Sequence, residues 1–551
     1  MVVKDDSTSS DSHVEATVPT EPSTLAPSIN EKHGLRPEPE HIEPHATRKS
    51  TRPDGKIELS EEECYRKLGF CFPTWKKWTI LSVIFIVQVS MNLNTSIYGN
   101  GVVALSKEFD ISLQAARVGQ MIFLVAYAFG CELWAPWSEE YGRWPVLQLS
   151  LFFVNIWQLP CAFAQNFGTI VVGRFLGGLS SAGGSVTLGM VADMWEADRQ
   201  QYAVNFIVLS SVGGSVVGPV VGGFVEEYLH WRWVFWLQLI FGGFVQICHF
   251  FLVPETRASV LITREARRRR KNGETHIYSP DELNHEGLTV KKVFSIWTRP
   301  FYMFLTEPIV LCLSLLSGFS DALIFTFLES YGPVYKQWDF STVAIGLSFL
   351  PLLVGYFIAY FSFMPFLQRQ RGIMKRGGAE ALVPEARLYW LLWTAPLEPI
   401  GLFGFAWTSL GPPQVHWIAP MIFSVLIAIA NFAIYMATID YMVAAYGPYA
   451  ASATGGNGFS RDFLAGIAAM YSVPFYENIG DRLKLEWPTT ILGCLGILVI
   501  IPVYVFYFNG AYFRDRSKFA MTLESERKAR GVLITAEREK TETEHVEHSK
   551  A

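Results

Sequence analysis

A dozen apolar stretches of about 20 residues run through this chain from near Trp78 to near Phe508, and one strongly basic loop divides them into two sets of six. Crossing roughly 30 Å of hydrocarbon takes about 20 mainly apolar residues, and in lipid a helix must satisfy its own backbone hydrogen bonds. The pattern predicts an all-α membrane protein with twelve transmembrane helices. The expected spans are 78–99, 116–137, 145–165, 168–192, 203–225 and 231–252, then 302–328, 341–366, 388–409, 415–442, 449–473 and 488–508.

The polar residues set the boundaries. Only 17% of the 551 residues are charged against 50% hydrophobic, and the charge gathers at the two ends and in the central loop. Residues 1–63 are rich in Ser, Thr, Pro, Glu and His with no apolar run, which predicts a disordered cytoplasmic tail and neither a signal peptide nor a folded domain. The expected division continues with a first six-helix unit (64–253), a basic linker loop (254–300), a second six-helix unit (301–510) and a C-terminal tail (511–551).

The linker carries Arg257, Arg264, Arg267, Arg268, Arg269, Arg270, Lys271, Lys291, Lys292 and Arg299, and the loop before the ninth span adds Arg369, Arg371, Lys375, Arg376 and Arg387. Alternate loops such as Glu226–His230 have almost no Lys or Arg. By the positive-inside bias the basic loops and both termini are expected to be cytoplasmic. Arg267–Lys271 reads as a topological anchor or as an anionic-lipid contact. Trp231, Trp233, Trp417 and Trp487 fall at span ends, as an interfacial aromatic belt would place them.

Several function classes lose support. The seven cysteines, at 64, 71, 131, 161, 248, 312 and 494, form no CxxC and no clustered spacing, so neither a disulfide framework nor a metal site is expected. There is no GxxxxGK[ST] loop for ATP, no Ser/His/Asp or HExxH arrangement, and no basic stripe with interleaved aromatics for nucleic acid. The chain is expected to be no enzyme and to use no cofactor.

The breaks in the apolar runs carry chemistry. Between the second and third spans the sequence reads Ala135-Pro-Trp-Ser-Glu139-Glu-Tyr-Gly142-Arg143-Trp144-Pro145, where a carboxylate and a guanidinium can lock two helices across a tight turn. The fourth span opens Gly173-Arg174-Phe-Leu-Gly177-Gly178, placing an arginine at hydrocarbon depth. Such a charge either faces protein or water for function, or snorkels to the interface. The fifth span holds Gly214-Ser-Val-Val-Gly218-Pro219-Val-Val-Gly222-Gly223, small residues at four-residue spacing around a helix-bending proline.

On these residues the chain resembles the major facilitator superfamily. Glu139, Gly142 and Arg143 match its loop signature, with Trp144 in place of the second basic residue, and the resemblance implies a conformational latch. The Arg174 element is similar to the one associated with proton coupling, and the Gly214–Gly223 element to the antiporter signature of exporters. Trp231–Trp236, Pro254-Glu255-Thr256-Arg257, Glu307-Pro308 and Tyr449–Ala453 resemble the fungal twelve-span drug:proton antiporter branch, over about residues 65–520. Ser180–Ser185 and Tyr435–Tyr441 look like fungal toxin exporters such as the fusaric-acid efflux pump. The resemblance implies two pseudo-symmetric six-helix bundles, alternating access, a proton gradient as energy source, and a monomer.

Charges inside or at the edge of spans are the candidates for moving the proton: Glu132, Arg174, Asp321, Asp440, Arg461 and Asp462. At about 1.5 Å per residue, Arg461 and Asp462 lie near the midplane, Asp440 near the cytoplasmic end of its span and Asp321 in the outer part of its own. Glu132 and Arg174 fall roughly 15 Å apart in depth, too far to pair. Each acid can be a structural partner or a carboxyl that binds and releases a proton. Gln88, Asn92, Ser181, Ser185, Ser211, Asn431, Tyr435 and Asn457 are the candidate polar anchors of a mostly apolar cavity for an amphipathic small molecule.

The expected function is proton-coupled efflux of a small organic compound across the plasma membrane or the vacuolar membrane. Alternatives are a polyamine or nutrient transporter of the same fold and a transporter-like sensor. The partners expected are substrate, protons and the bilayer, with no nucleic acid.

Overall fold

The computed structural model describes residues 56–520, apart from 60, 65, 66, 196, 284–289, 378–381 and 480–482. The expected tails over 1–55 and 521–551 lie outside the described residues. Ten helices among the described residues are long and apolar enough to cross a membrane. In the first half they are Thr74–Glu108, Leu113–Glu140, Arg143–Ala162, Phe167–Met194, Arg199–Tyr228 and Trp233–Leu252. In the second half they are Pro308–Lys336, Thr342–Arg376, Ile418–Tyr446 and Glu486–Arg514.

The remaining two expected crossings are helical for most of their length, and each departs from the simple apolar rod for a chemical reason. The ninth is divided into Tyr389–Thr394 and Leu397–Thr408 around Ala395 and Pro396, because proline cannot donate to the helical ladder. The eleventh is one helix, Ala450–Asn478, whose Gly455, Asn457, Arg461 and Asp462 make it too polar to stand out by hydropathy alone.

The spans form two bundles that share one continuous apolar core, and the bundles meet along two helix pairs. The second span lies against the eleventh, and the fifth against the eighth. Adding six to the lower number of each pair and subtracting six from the higher turns one pair into the other, as a repeat of two six-helix units requires. The small residues of the fifth span make its contacts possible. Gly214, Gly218 and Gly222 present bare backbone to Asn92, Ser96 and Asn100 of the first span, where any Cβ would collide with those side chains. Gly223 faces the backbone of Gly346 in the eighth span, with Gly346 Cα 3.2 Å from where a Cβ would stand.

Three expectations change. The seventh span begins at Pro308 rather than at 302, because Val290–Thr306 is a separate helix that stops at Glu307-Pro308. Residues 57–59, expected in the disordered tail, are packed instead. Strand β1 (Ile57–Glu58) pairs in parallel with β2 (Ile277–Tyr278), and Leu59, Cys64 and Leu68 bury against Ile262, Ala266 and Ile277. The linker is not all loop, since Ala258–Lys271 is a helix whose Ile262, Glu265 and Ala266 are buried.

Glu282 fastens this linker unit. Arg270 donates to both of its oxygens at 2.8 Å, Arg267 Nε lies 3.2 Å away, and Ser279 and Glu282 each accept the other's backbone N–H, a capping box for the short helix Pro280–Leu283. The Arg270 guanidinium holds the Glu282 carboxyl down at about 2, against the opposing pull of burial.

Candidate functional site

A cavity of about 360 Å³ lies between the two bundles. Its lining runs from Cys131, Ser185, Tyr435, Asn457, Arg461 and Asp462 at mid-span, past Glu132 and Val443, to Asp193 and Arg257 at the face that carries the linker. The opposite face is closed. There Arg117 of the second span pairs with Glu329 of the seventh at 3.0 Å, and Gln114 donates to the Met470 carbonyl of the eleventh at 2.6 Å.

The charges at the deep end form one cluster. Arg461 lies 3.6 Å from Asp462 and 4.0 Å from Asp321, and its guanidinium stacks 4.0 Å from the centroid of the Tyr435 ring. Asp321, expected in the outer part of its span, therefore sits at mid-depth, because that span starts six residues later than its hydropathy suggests. Glu132 lines the cavity without a hydrogen bond or ion pair among the described residues. Its carboxylate abuts the eleventh span where Gly455 leaves room, 2.5 Å from where a Cβ would stand.

The remaining candidates separate by what they touch. Asp440 is ion-paired with Arg387 and accepts from Gln201 Nε2 at 2.7 Å, which ties the tenth span to the fifth at the linker face. Ser185, Tyr435 and Asn457 line the cavity, and Asn457 Oδ1 is buried without a partner. Gln88, Ser181 and Ser211 are buried and do not line it, while Asn92 is spent on the Gln88 carbonyl at 2.9 Å and on the close approach of Gly214. Asn431 belongs to a separate polar chain inside the second bundle.

Arg174 is 1% exposed, so it does not snorkel. Its Nε donates to Gly119 O at 3.1 Å and its Nη1 to Asn94 O and Oδ1 at 2.9 and 2.7 Å. The guanidinium lies 4.0 Å from the ring centroid of Phe123 and 4.8 Å from that of Tyr98. No carboxylate pairs with it among the described residues, and Nη2 has no partner.

The loop Glu139–Arg143 closes differently from its sequence pattern. Glu139 is half exposed and 3.9 Å from Arg143. The close partners of Arg143 are Asp193 at 3.1 Å, from the end of the fourth span, and Ser138 Oγ at 2.7 Å. Glu255, just past the sixth span, accepts from the backbone N–H of Arg143, Trp144, Thr256 and Arg257. Gly142 is required here twice over. Its φ of +108° suits glycine, and a side chain would strike the Glu255 carboxylate. Trp144 sets its ring 5.5 Å from that of Phe250, an apolar use of a position that the motif gives to a base. Asp193 is the residue that sequence reasoning missed; its signal is an acid at the fourth span's end, facing the start of the third.

The Major Facilitator Superfamily profile matches residues 84–470, and the chain belongs to that family. It is a multi-pass membrane transporter and not an enzyme. Similar proteins include the transporter paaT of Penicillium rubens, 31% identical over 458 residues, 82% of this chain and 81% of that one. The citrinin biosynthesis cluster transporter mrr1 of Monascus ruber is 30% identical over 462 residues, covering 82% and 90%. The efflux pump atB of Aspergillus terreus is 35% identical over 396 residues, covering 70% and 81%. The proton:xylose symporter XylE shares the fold with a TM-score of 0.53 over 79% of this chain and 96% of its own, at 17% identity.

Proposed function

We propose that this transporter exports a small organic compound in exchange for protons. The observation that carries the reading is Glu132, a carboxylate with no partner in the wall of a cavity shared by both bundles. A carboxylate in that position can hold a proton or a donor group of the cargo, and cannot hold both. The efflux and biosynthesis-cluster names of the relatives support the outward direction.

The rest of the cycle follows from the charges. The cavity opens toward the basic face, which the positive-inside bias assigns to the cytoplasm together with both termini, so the described state is ready to load from inside. Arg461 is shared between Asp321 and Asp462, and protonating either acid frees the guanidinium for the other. Arg143, Asp193 and Glu255 act as the latch of the first bundle, and Arg387 with Asp440 occupies the equivalent place in the second. The compound leaves as the Arg117–Glu329 contact opens and the linker face closes. The protein works as a monomer in the plasma membrane or the vacuolar membrane, without a cofactor.

The cavity's surplus of acid, once the pairs are subtracted, favours cargo with a cationic or hydrogen-bond-donating group. Ethidium uptake into proteoliposomes under an imposed pH gradient tests the reading. Accumulation is expected to stop when a protonophore collapses the gradient and to fall at least about tenfold in Glu132→Gln, the size of a lost charge-assisted contact. Accumulation that survives both the protonophore and the substitution would sink it.

A further inference from the structure

The second bundle buries a carboxyl that neither the cavity nor the latch uses. Glu398 is wholly inaccessible, at mid-depth in the first turn of the helix that resumes after Pro396. Ser320 donates to its Oε1, and Oε2 has no partner. Behind Ser320 stands a directed chain, in which Asn431 Nδ2 donates to Ser320 Oγ at 3.1 Å and Tyr356 OH donates to Asn431 Oδ1 at 3.2 Å.

Among the described residues nothing around Glu398 balances a negative charge. The titratable groups on the helices packed near it are Asp321 and Tyr331 of the seventh span, Tyr356 of the eighth, Tyr435 of the tenth and Tyr504 of the twelfth. Arg461, the cation of the mid-depth cluster, is engaged with Asp321, Asp462 and Tyr435. A buried carboxylate with one donor and no cation is too costly to persist, whereas the neutral acid leaves only one O–H without a partner, a far smaller cost than a bare charge. Asn431 lies one helical turn from Tyr435 in the cavity wall, and Ser314 and Ser317 bury unpartnered hydroxyls on the linker side of Ser320.

We propose that Glu398 is a proton-binding carboxyl of the second bundle, with the Ser320 hydroxyl, itself held by Asn431, stabilising its charged form. One O–H bond forms at the carboxyl as the proton arrives and breaks as it leaves. Its part in transport rests on the proton-exchange reading above; its existence does not.

An infrared pH titration of the full-length protein in lipid tests it with the proton itself as probe. The carbonyl band of a neutral carboxylic acid is expected in the unmodified protein, shrinking reversibly as pH rises. It should lose one carboxyl's share in Glu398→Gln, leaving the contribution of other buried acids such as Glu132, with about one proton fewer released per chain by Glu398→Gln in an alkaline jump. If Glu398→Gln does not fold, Ser320→Ala keeps the acid and removes its donor, and the band must then persist to higher pH. A band that is undiminished in Glu398→Gln, never titrates while the helices hold, or ignores Ser320→Ala overturns the proposal. If Glu398 titrates and ethidium accumulation is gradient-independent, only the exchange reading fails. Gradient-driven accumulation with a Glu398 that does not titrate fails this inference alone.

Discussion

Arg174 and Glu398 are both ionisable groups sealed inside a bundle with no ion-pair partner, yet their surroundings are opposite. The arginine makes three hydrogen bonds to oxygen and lies against two aromatic rings. The glutamate has one donor and a bare second oxygen. Guanidinium cannot lose its charge in a protein, so the fold must solvate it in place of water. A carboxyl can become neutral by binding a proton, and it then needs far less. The density of partners around a buried ionisable group thus distinguishes a permanent charge from an exchangeable one.

Removing Arg174 should break the molecule hardest. Arg174→Met leaves the Asn94 and Gly119 oxygens without their donor, and with each unsatisfied buried group costing about 1–3 kcal/mol the loss should reach about 3–5 kcal/mol. Arg174→Lys keeps the charge without the flat fork and should fall between the two. Thermal unfolding in detergent measures both. A lysine variant as stable as the unmodified protein would mean that charge alone, and not the fork between Tyr98 and Phe123, is what the site holds.

Arg143 supplies the intermediate case, a buried guanidinium that does have an acid. Asp193→Asn weakens a charge-assisted bond at 3.1 Å and should cost about 1.5–3 kcal/mol, while Glu139→Gln, at a half-exposed partner 3.9 Å away, should stay within about 0.5 kcal/mol. Equal losses from the two would restore Glu139 to the role its motif suggests. Glu398→Gln should cost only about 1 kcal/mol, since the amide keeps the acceptor for Ser320 and adds one unpaired N–H. A loss as large as that of Arg174→Met would show that Glu398 is charged.

The same distinction explains what could be read from the sequence. The all-α fold and the six-plus-six division follow from apolar length and the cost of charge in lipid, whereas the sequence left Arg174 open between burial and snorkelling. The glycines at 214, 218 and 222 announced a close helix contact because four-residue spacing puts them on one face. Glu398 went unnoticed although it falls in the middle of the expected ninth span, 388–409, because its partner, Ser320, stands in another span. Asp321 was misplaced in depth because residues 302–306 are apolar yet belong to a helix that ends before the span begins. Asp193 and the docking of Ile57 on Ile277 both depend on segments far apart in the chain, and no local pattern encodes such a contact.

Outside the spans an acid with cations beside it gives a further small effect. Glu282 is held at about 2 by Arg270, so its docking contribution is fully present above the ordinary carboxylate value near 4.5 and is lost as pH falls through about 2. Water screens the pair, and Glu282→Gln should cost no more than roughly 0.5–1 kcal/mol near neutrality. Hydrogen-exchange protection factors of the Ile57 and Leu59 amides, which donate to His276 and Tyr278 across the strand pair, report the docking. Protection should fall between pH about 4.5 and about 2 in the unmodified chain and be flat over that window in Glu282→Gln. A flat profile in both would mean that the burial of Leu59, Cys64 and Ile277 holds the linker unit, with the charge at Glu282 contributing only its capping bonds.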